Sequence, residues 1–487
     1  MPPPAAALVE THISWVLLTE DHAIKVLKPL RTDVLDHRSL DARRHACELE
    51  VDLNRRLAPD VYEGVGEICL DGESIEPVIV MRRMPSARRL SALLGEPEAP
   101  TQVRAVARTI ASFHARLEPL PRSAAERVAS QGALRRRWEV DVAGLRQIGA
   151  GLVDTEVVDE ISDRAATYLS GRAPLLEERI RSGMVRDVHG DLLADDIFCL
   201  DDGPRVLDCL AFSPTLRHGD VLSDVAFLAM DLERLGSEHL AHQLLGDYWE
   251  LSNERHPASL AHFYIAHRAL VRAKVGALRS QQDPAAADAV GPLSSLALDH
   301  LRRAEIHLTL VGGAPGSGKS TLADTLADQL GWVVLSSDAV RRDLGLRSVD
   351  LEATDAYRPE STSAVYDELV HRASELISRG DSVVVDATWT SEEERRKARA
   401  AASAAHTHLI ELRCDAPMDV CRDRVARRAP GASLSEASPD VVDLLAERAD
   451  PWHEAITIDT SGDGAPHVAP PSRLARPWFA QPPPEGG

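Results

Sequence analysis

The sequence predicts an α/β protein of several domains, in which an α+β half precedes a half built on a parallel β-sheet. At 487 residues the chain exceeds the size that one hydrophobic core fills. Strand-like patterns come early in the first half, and long helical patterns rich in Ala, Leu and Arg follow them. Strand and helix patterns alternate in the last third, which predicts crossover connections between parallel strands.

The first half opens with strands and continues with helices. The run "LLTEDHAIKVLK", Leu17 to Lys28, predicts two strands around a Glu-Asp turn. A helical pattern from Ser39 to Leu57 stops before Pro59, and "VIVMRRM" at 78–84 predicts another strand that Pro85 ends. Long helical stretches follow to about residue 181, and further helices are predicted over 221–235 and 264–279. We therefore expect a small α+β lobe followed by a larger helical lobe.

A change of composition marks the predicted domain boundary. Residues 281–304 mix Pro, Ala, Ser and acidic side chains, so they are assigned as a linker between domains at 1–280 and 305–464. The Pro/Gly-rich tail, 465–487, is expected to be disordered. Within the second domain we predict a strand ending at Val311, a helix from Lys319, strands over 333–335, 382–386 and 409–413, and a helix ending near Arg379.

Charge and cysteine content exclude several classes of protein. A formal net charge of -21 opposes binding to long nucleic acid or an anionic membrane. The six cysteines form no CxxC pair, so neither a zinc site nor a disulfide framework is indicated. No basic-apolar leader and no apolar run of about 18 residues is visible, so a cytoplasmic protein is expected. The sequence does not indicate an oligomeric state.

A glycine-rich loop in the second half is the strongest motif. The stretch "LVGGAPGSGKST" meets the pattern G-x-x-x-x-G-K-S between a predicted strand and a predicted helix. Its amides and the helix N-terminus are suited to phosphate oxygens, with Lys319 on the outer phosphates and Ser320 on Mg²⁺. ATP and Mg²⁺ are thus the predicted cofactors. The predicted phosphate-binding residues are Gly313, Ala314, Pro315, Gly316, Ser317, Gly318, Lys319, Ser320 and Thr321.

Other polar residues of this half are candidates for the same site. Asp386 ends the apolar run "SVVVD", where it could join the magnesium shell, or it could cap a turn. Asp338 could orient or deprotonate an acceptor hydroxyl, and it could also be the N-cap of a helix starting at Ala339. Arg424 and Arg428 lie four apart and could face a developing phosphate charge, although a solvated helix face explains them equally well.

This half, about Ile306 to Thr460, resembles the small P-loop kinases of the gluconate and shikimate kinase group and related AAA-type ATPase domains. The resemblance is based on "GGAPGSGKST", "SSDAVRRDL", "VVVDATW" and "CRDRVARR". It implies that Arg341 or Arg342 binds the acceptor and that Arg424 and Arg428 belong to a mobile lid. The group also contains polynucleotide 5′-hydroxyl kinases, but acidic residues outnumber basic ones in 305–487, which disfavours a long nucleic-acid substrate.

The first half, about 8–280, resembles the aminoglycoside phosphotransferase and choline kinase superfamily. The parts in order are "AIK" in a strand, glutamates in the next helix, "HGD" and "LDC". The resemblance implies that Lys25 binds the α/β phosphates, with Lys28 as a rival, and that a helix glutamate, Glu48 or Glu50, pairs with it. It further implies that Asp191 is the catalytic base and that Asp208 binds magnesium.

The first half departs from that superfamily at three points. The catalytic loop of the family usually has Asn where this chain has Asp196, which could still bind magnesium. Before Lys25 stands "ETHIS" in place of a Gly-rich loop, and "LDC" keeps only the aspartate of DFG. A catalytically inactive scaffold is therefore the alternative for this half.

Together these motifs predict two ATP sites that each transfer the γ-phosphoryl group of Mg-ATP to a small hydroxylated molecule. A nucleotide-gated regulatory protein with an impaired kinase-like domain is the alternative. A polynucleotide 5′-hydroxyl kinase is a third hypothesis.

Overall fold

The computed structural model describes residues 7–11, 13–31, 35–71, 73–346, 359–427, 445 and 447–462. The chain divides into two compact units. Unit 1 comprises Met1–Val158, Glu177–Arg255 and Tyr264–Ala297, and unit 2 comprises Asp159–Leu176, His256–Phe263 and Leu298–Gly487. The second unit thus takes in two short segments that come from the first half of the sequence.

Unit 1 begins with a five-stranded antiparallel sheet and one helix packed on it. The strands are β1 Ala7–Glu10, β2 Ser14–Leu18, β3 His22–Leu27, β4 Tyr62–Leu70 and β5 Glu73–Arg82, in the order β1-β2-β3-β5-β4. Helix α1, Leu40–Asn54, starts where the Ser39 hydroxyl accepts a hydrogen bond from the Ala42 amide. Its buried face, including Cys47 and Val51, packs against Leu27 and Ile79 of the sheet. The sheet and α1 form the small lobe that the sequence predicts.

The helices that follow in the chain form the larger lobe, except for segments of four helices that belong to unit 2. The helices are α2 Leu90–Leu93, α3 Ala99–Arg116, α4 Arg122–Ala129, α5 Gln131–Ile148, α6 Thr155–Gly171, α7 Ala173–Arg181, α8 Pro214–Arg217, α9 Val221–Arg234, α10 Glu238–Ser252, α11 Ala258–Arg279 and α12 Val290–Arg303. The segments that belong to unit 2 are most of α6 and parts of α7, α11 and α12. Two short hairpin-like pairs accompany the helices: β6 Val185–Asp187 with β9 His218–Asp220, and β7 Ile197–Leu200 with β8 Gly203–Val206. Helix α9 is apolar nearly all round and lies in the centre of this lobe, buried along most of its length.

Unit 2 contains a five-stranded parallel sheet. Its elements are β10 His307–Gly312, α13 Lys319–Leu330, β11 Val333–Ser336, α14 Ser337–Asp343, α15 Pro359–Ser378, β12 Val383–Asp386, α16 Glu392–Ala404, β13 His408–Asp415, α17 Met418–Ala426 and β14 Ile456–Asp459. The strand order is β11-β12-β10-β13-β14, with every pair parallel. β10 is central, and the order of the strands reverses on its two sides, so a crevice is expected at its carboxyl end.

The predicted fold class is confirmed: an α/β chain in which an α+β part with a small and a larger helical lobe precedes a part built on a parallel sheet. Residues 284–303, which we expected in a linker, form a 3₁₀ helix and α12, and the predicted linker as a domain boundary stays a prediction. The predicted N-cap at Asp338 is wrong, because α14 starts at Ser337 and Ser336 occupies the cap. The predicted tail, 465–487, lies outside the described residues. In the described part of the chain, no helix combines the length and apolarity that crossing a membrane requires.

Candidate nucleotide sites

The glycine-rich loop follows the central strand β10 and leads into α13. Gly313 and Gly316 have φ values of 136° and 84°, which side-chain-bearing residues rarely adopt. A Cβ on Gly313 would lie 2.6 Å from the Cys414 carbonyl oxygen and 2.7 Å from the Ser317 hydroxyl, and one on Gly316 would collide with the Cys421 carbonyl. Glycine is therefore needed for the loop to curl against its neighbours. The buried Ser317 hydroxyl has no hydrogen-bond partner among the described residues, so a polar group remains available inside the loop.

Lys319, Ser320 and Asp386 meet at the carboxyl end of the sheet. The Lys319 ammonium group donates to the Ala314 carbonyl oxygen at 3.1 Å, which holds it within the loop. The Ser320 hydroxyl donates to the Asp386 carboxylate at 2.6 Å. Asp386 lies opposite Val311 of β10 in the sheet register, so strand pairing fixes this contact. Burial, and to a lesser degree the charges of Asp338 and Asp324, raises the pKa of Asp386 although Lys319 and Ser320 act against it.

This arrangement fits a magnesium ion. A hydroxyl and a carboxylate are hard oxygen donors, and Mg²⁺ usually takes one or two protein oxygens while keeping waters and phosphate oxygens as its other ligands. Among the described residues, no group of three or more His, Cys, Asp and Glu side chains is arranged to hold a metal. Ser320 and Asp386 are thus the two residues that would hold Mg²⁺ beside the loop.

Asp338 and Arg341 lie near the same edge of the sheet. The Arg341 guanidinium donates to the Asp338 carboxylate at 3.2 Å. The negative charge of Asp338 contributes to the raised pKa of Asp386. Both residues belong to α14, which directly follows β11. Arg341 is half-buried whereas Arg342 is exposed, so Arg341 is the better placed of the two predicted acceptor-binding arginines.

Arg424 contacts backbone carbonyl oxygens at the end of the parallel sheet. Its guanidinium donates to the carbonyl oxygens of Thr460 at 2.9 Å, Ser461 at 3.3 Å and Gly462 at 2.7 Å, and it reaches the Gly316 carbonyl at 3.5 Å. Arg424 thus ties the segment after β14 to the glycine-rich loop. Arg428 lies outside the described residues. The predicted catalytic role of both arginines stays a prediction.

Lys25 is the centre of the candidate site of unit 1. It lies in β3, and its ammonium group donates to the Glu50 carboxylate of α1 at 2.6 Å and to the Asp208 carboxylate at 3.1 Å. Burial opposes the charge of Lys25, but Asp208 and Glu50 outweigh it and hold the pKa of Lys25 well above its usual range. The rival Lys28 instead binds Glu10 and the Thr11 carbonyl oxygen, both at 2.6 Å. The contacts therefore distinguish Lys25 from Lys28, and likewise Glu50 from the exposed Glu48.

The loop that contains Asp208 is fixed by α1. Asp208 has φ 60°, which lies in the left-handed region that residues other than glycine uncommonly adopt. The next amide, of Cys209, donates to the Asn54 side chain at 2.8 Å, and Asn54 in turn donates to the Glu50 carbonyl oxygen. The positive charge of Lys25 lowers the pKa of Asp208. Asp208 is thereby kept ionised, with 57% of its side chain exposed.

A buried aspartate of α9 holds the loop that carries Asp191. The Asp224 carboxylate accepts hydrogen bonds from the amides of His189 at 3.0 Å and Gly190 at 2.8 Å, and it contacts the ring of His114 at 3.1 Å. His189 itself is buried, and its ring contacts the Leu207 carbonyl oxygen at 3.0 Å. Both sides of the loop are thus anchored, which leaves the side chain of Asp191 half-buried at its tip.

Three carboxylates share this region of unit 1. Burial raises the pKa of Asp191 to about 6. The positive charge of Arg272 opposes this rise, and the negative charge of Asp208 adds to it. Burial together with the charges of Asp208 and Asp191 raises the pKa of Asp196 well above its usual range. The negative charges of Asp208 and Asp191 thus contribute to the raised pKa of Asp196, and carboxylate oxygens are the kind of ligand that magnesium prefers. The metal role of Asp196 and Asp208 stays a prediction.

Sequence reasoning missed the residues that support these loops. Asp224, Asn54 and His114 contact neither a predicted phosphate nor a predicted metal, and their positions follow no short motif. Only a buried-helix pattern around Asp224, "VLSDVAFLAMDL", could have drawn attention to it, because a carboxylate in an apolar helix needs partners.

Comparison with known proteins gives one family match and several relatives. Residues 308–452 match the family described as AAA domain, which confirms the predicted P-loop domain over those residues. A choline/ethanolamine kinase family protein from Mesorhizobium loti is 13% identical, covering 62% of this chain and 93% of that one, with a TM-score of 0.36. A gluconokinase from Sinorhizobium meliloti is 17% identical, covering 32% of this chain and 83% of that one, with a TM-score of 0.26.

A relative of nearly full length comes from Mycobacterium tuberculosis (strain ATCC 25618 / H37Rv). The uncharacterized protein Rv2004c is 41% identical over 463 residues, which cover 93% of this chain and 92% of the relative. On that evidence the chain belongs to the same protein family as the mycobacterial protein Rv2004c.

Proposed function

We propose that this protein is an ATP-dependent phosphotransferase with one ATP site in each unit, and that it transfers the γ-phosphoryl group to the hydroxyl of a small molecule. The observation that carries the proposal is the contact of Ser320 with Asp386 at 2.6 Å beside the loop that holds Lys319. Phosphoryl transfer needs little covalent chemistry from a protein. It needs phosphates held in place, charge neutralised and an acceptor oriented, and these residue types supply that.

In unit 2, the loop amides and Lys319 would bind the outer phosphates of ATP. Ser320 and Asp386 would hold Mg²⁺, which neutralises charge on the phosphate oxygens when it is bound. Asp338 is the candidate for orienting the acceptor hydroxyl. Its neighbour Arg341 donates a hydrogen bond to the Asp338 carboxylate at 3.2 Å and so fixes its orientation.

In unit 1, Lys25 would bind phosphate oxygens while Glu50 fixes its position. Asp208, with Asp196, would hold the metal. The described residues place no hydrogen-bond donor on the Asp191 carboxylate, so it could accept the proton of an acceptor hydroxyl. This site needs Asp191 ionised, and its pKa of about 6 allows that at neutral pH.

The test is transfer of label from γ-labelled Mg-ATP to a panel of sugars, polyols, aminoglycosides and a 5′-hydroxyl oligonucleotide. We expect labelled small-molecule product from the full-length protein. Lys319→Ala and Lys25→Ala should each remove one of two ATP-binding events, whereas Lys28→Ala and Lys397→Ala, which alter lysines outside both sites, should remove neither. Unchanged ATP stoichiometry in Lys319→Ala would refute the phosphate-binding role of the loop.

A nucleotide-gated regulatory protein is the second candidate. The observation that favours it is Asp196, because a third carboxylate next to Asp191 and Asp208 adds repulsion where phosphates would bind. In that case ATP would bind unit 1 without product formation in a Lys319→Ala background. A labelled oligonucleotide in the same panel would instead indicate a polynucleotide 5′-hydroxyl kinase.

A further inference from the structure

Two arginines of α11, Arg268 and Arg272, act on Asp191 through their positive charge, which opposes the rise of its pKa that burial causes. Arg268 and Arg272 are four residues apart and therefore lie on one face of the helix. The Arg268 guanidinium donates to the Ser223 carbonyl oxygen at 3.2 Å and stacks over the Phe227 ring at 4.8 Å. Ser223 directly precedes Asp224, the residue that holds the amides of this loop. The arginine face of α11 is thus fixed next to the candidate catalytic base.

A third arginine approaches the same loop from α5. Arg137 donates to the Thr215 carbonyl oxygen at 2.7 Å. Thr215 belongs to the segment after Asp208 that packs against Gly190, because a Cβ on Gly190 would lie 3.3 Å from both Leu210 Cβ and Arg217 Cα. Burial lowers the pKa of Arg268, and the positive charge of Arg137 lowers it further. Arg137 therefore lies close enough to Arg268 for their charges to interact, and it contacts the segment that packs against Gly190.

Several acidic groups lie near these cations: Asp208 is paired with Lys25 and is assigned with Asp196 to the metal, and no hydrogen bond or ion pair among the described residues joins Asp191 to Arg268 or Arg272. Each buried aspartate of this region already has donors of its own: Asp224 has two amides and His114, Asp231 has the Ala194 amide and Arg234, and Asp141 has His267 and Lys274. Arg272, which is half-buried, makes no hydrogen bond and no ion pair with any other residue that the structure describes. A guanidinium with five unused donors at the edge of a substrate site is suited to a carboxylate or a phosphate.

We infer that the acceptor of unit 1 is an anionic hydroxyl compound, a hydroxy acid or a sugar phosphate, whose anionic group is bound by Arg272 with support from Arg268 and Arg137. The inference rests on the proposed function of unit 1. It predicts that cationic acceptors such as aminoglycosides and choline bind more weakly than anionic ones, because they offer no partner to the unused donors of Arg272. Arg272 is thus a specificity-determining residue, whereas Arg268 and Arg137 are positioning residues whose guanidinium groups are partly used by carbonyl oxygens.

The experiment uses the full-length protein carrying Lys319→Ala, so that turnover in unit 2 is silenced. Glycerol and choline are compared with glycerate and glycerol 3-phosphate, both as acceptors of label from γ-labelled Mg-ATP and as ligands in calorimetric titrations with a nonhydrolysable ATP analogue. Arg272→Ala, Arg272→Lys and the exposed Arg279→Ala at the end of the same helix are measured in parallel. We expect tighter binding of the anionic compounds than of glycerol and choline. Arg272→Ala should weaken it about tenfold or more, Arg272→Lys should restore part of it, and Arg279→Ala should leave it unchanged.

The anion site and phosphotransfer in unit 1 are tested by different results. Binding of the anionic compounds without transfer would support the anion site and refute phosphotransfer in unit 1. Transfer to glycerol or choline in preference to the anionic compounds would support phosphotransfer and overturn the anion site. Anion binding that is unaffected by Arg272→Ala would also overturn the assignment of Arg272.

Discussion

Replacing Asp224 by Asn tests whether one buried carboxylate holds the loop of the candidate catalytic base. Asn keeps the size of the side chain, but one of its two polar atoms becomes a donor that faces the amide of His189 or Gly190. One charge-assisted hydrogen bond is lost and one amide is left without an acceptor, which costs about 2 to 4 kcal/mol. A loss of about 2 kcal/mol corresponds to roughly 30-fold easier opening of the loop. Hydrogen exchange of peptides covering residues 185–200 measures this directly.

Acid unfolding provides an independent check on the same residue. Burial favours protonated Asp224, but His114 and the loop amides outweigh it and lower the pKa to about 2. A carboxyl with a lowered pKa stabilises the folded state above its unfolded pKa, and that contribution, about 2 kcal/mol, is lost as pH falls from about 4 through about 2. Asp224→Asn should lack this component in urea unfolding, and exposed Asp288→Asn should keep it. Equal loop exchange in Asp224→Asn and Asp288→Asn would refute the anchoring role.

Three further substitutions have expected outcomes. Gly313→Ala should abolish ATP binding in unit 2, because the added Cβ meets the Cys414 carbonyl oxygen. Gly345→Ala, whose Cβ would lie in open space, should leave ATP binding intact. Calorimetric titration measures both variants, and equal affinity would show that the loop tolerates a side chain. Asn54→Ala removes the acceptor of the Cys209 amide and should weaken ATP binding in unit 1 with little effect on unit 2; equal weakening of both would contradict a local role. Arg172→Ala deletes bonds to the carbonyls of Gly171 and Ala405 and should lower the melting temperature by an amount equivalent to about 2 to 4 kcal/mol, with exposed Arg181→Ala as control.

The predicted strands and helices are well matched because their signals are local. The phosphate loop, the strand at 383–386 and the helix capped by Ser39 all depend on residues within a few positions of each other. Strands β4 and β14 were not predicted. β4 contains Gly64 and Gly66, and β14 is four residues long with an exposed Ile456, so neither shows a clear alternation.

The sites were predictable only where a motif fixes the order of residues. The partner of Lys25 is 25 positions away and its second partner 183 positions away, so no spacing in the sequence distinguishes Lys25 from Lys28. Arg272, Arg137 and Asp224 come together through tertiary packing, which a single sequence does not encode in a readable form. The N-cap prediction at Asp338 was wrong because the serine at 336 competes for the same position two residues earlier.

Unit 2 includes residues 159–176 and 256–263, which come from the first half of the chain. Arg172 reaches the carbonyl of Ala405, the Ser259 hydroxyl donates to the Gly380 carbonyl at 2.7 Å, and Tyr168 stacks on Phe263. A fragment that begins at residue 305 would lack the side chains that donate to these carbonyl oxygens. It would also expose the apolar surface that residues 159–176 and 256–263 cover. Fragments divided at that point should therefore be less stable than the intact chain, so the two parts of the sequence are expected to fold together.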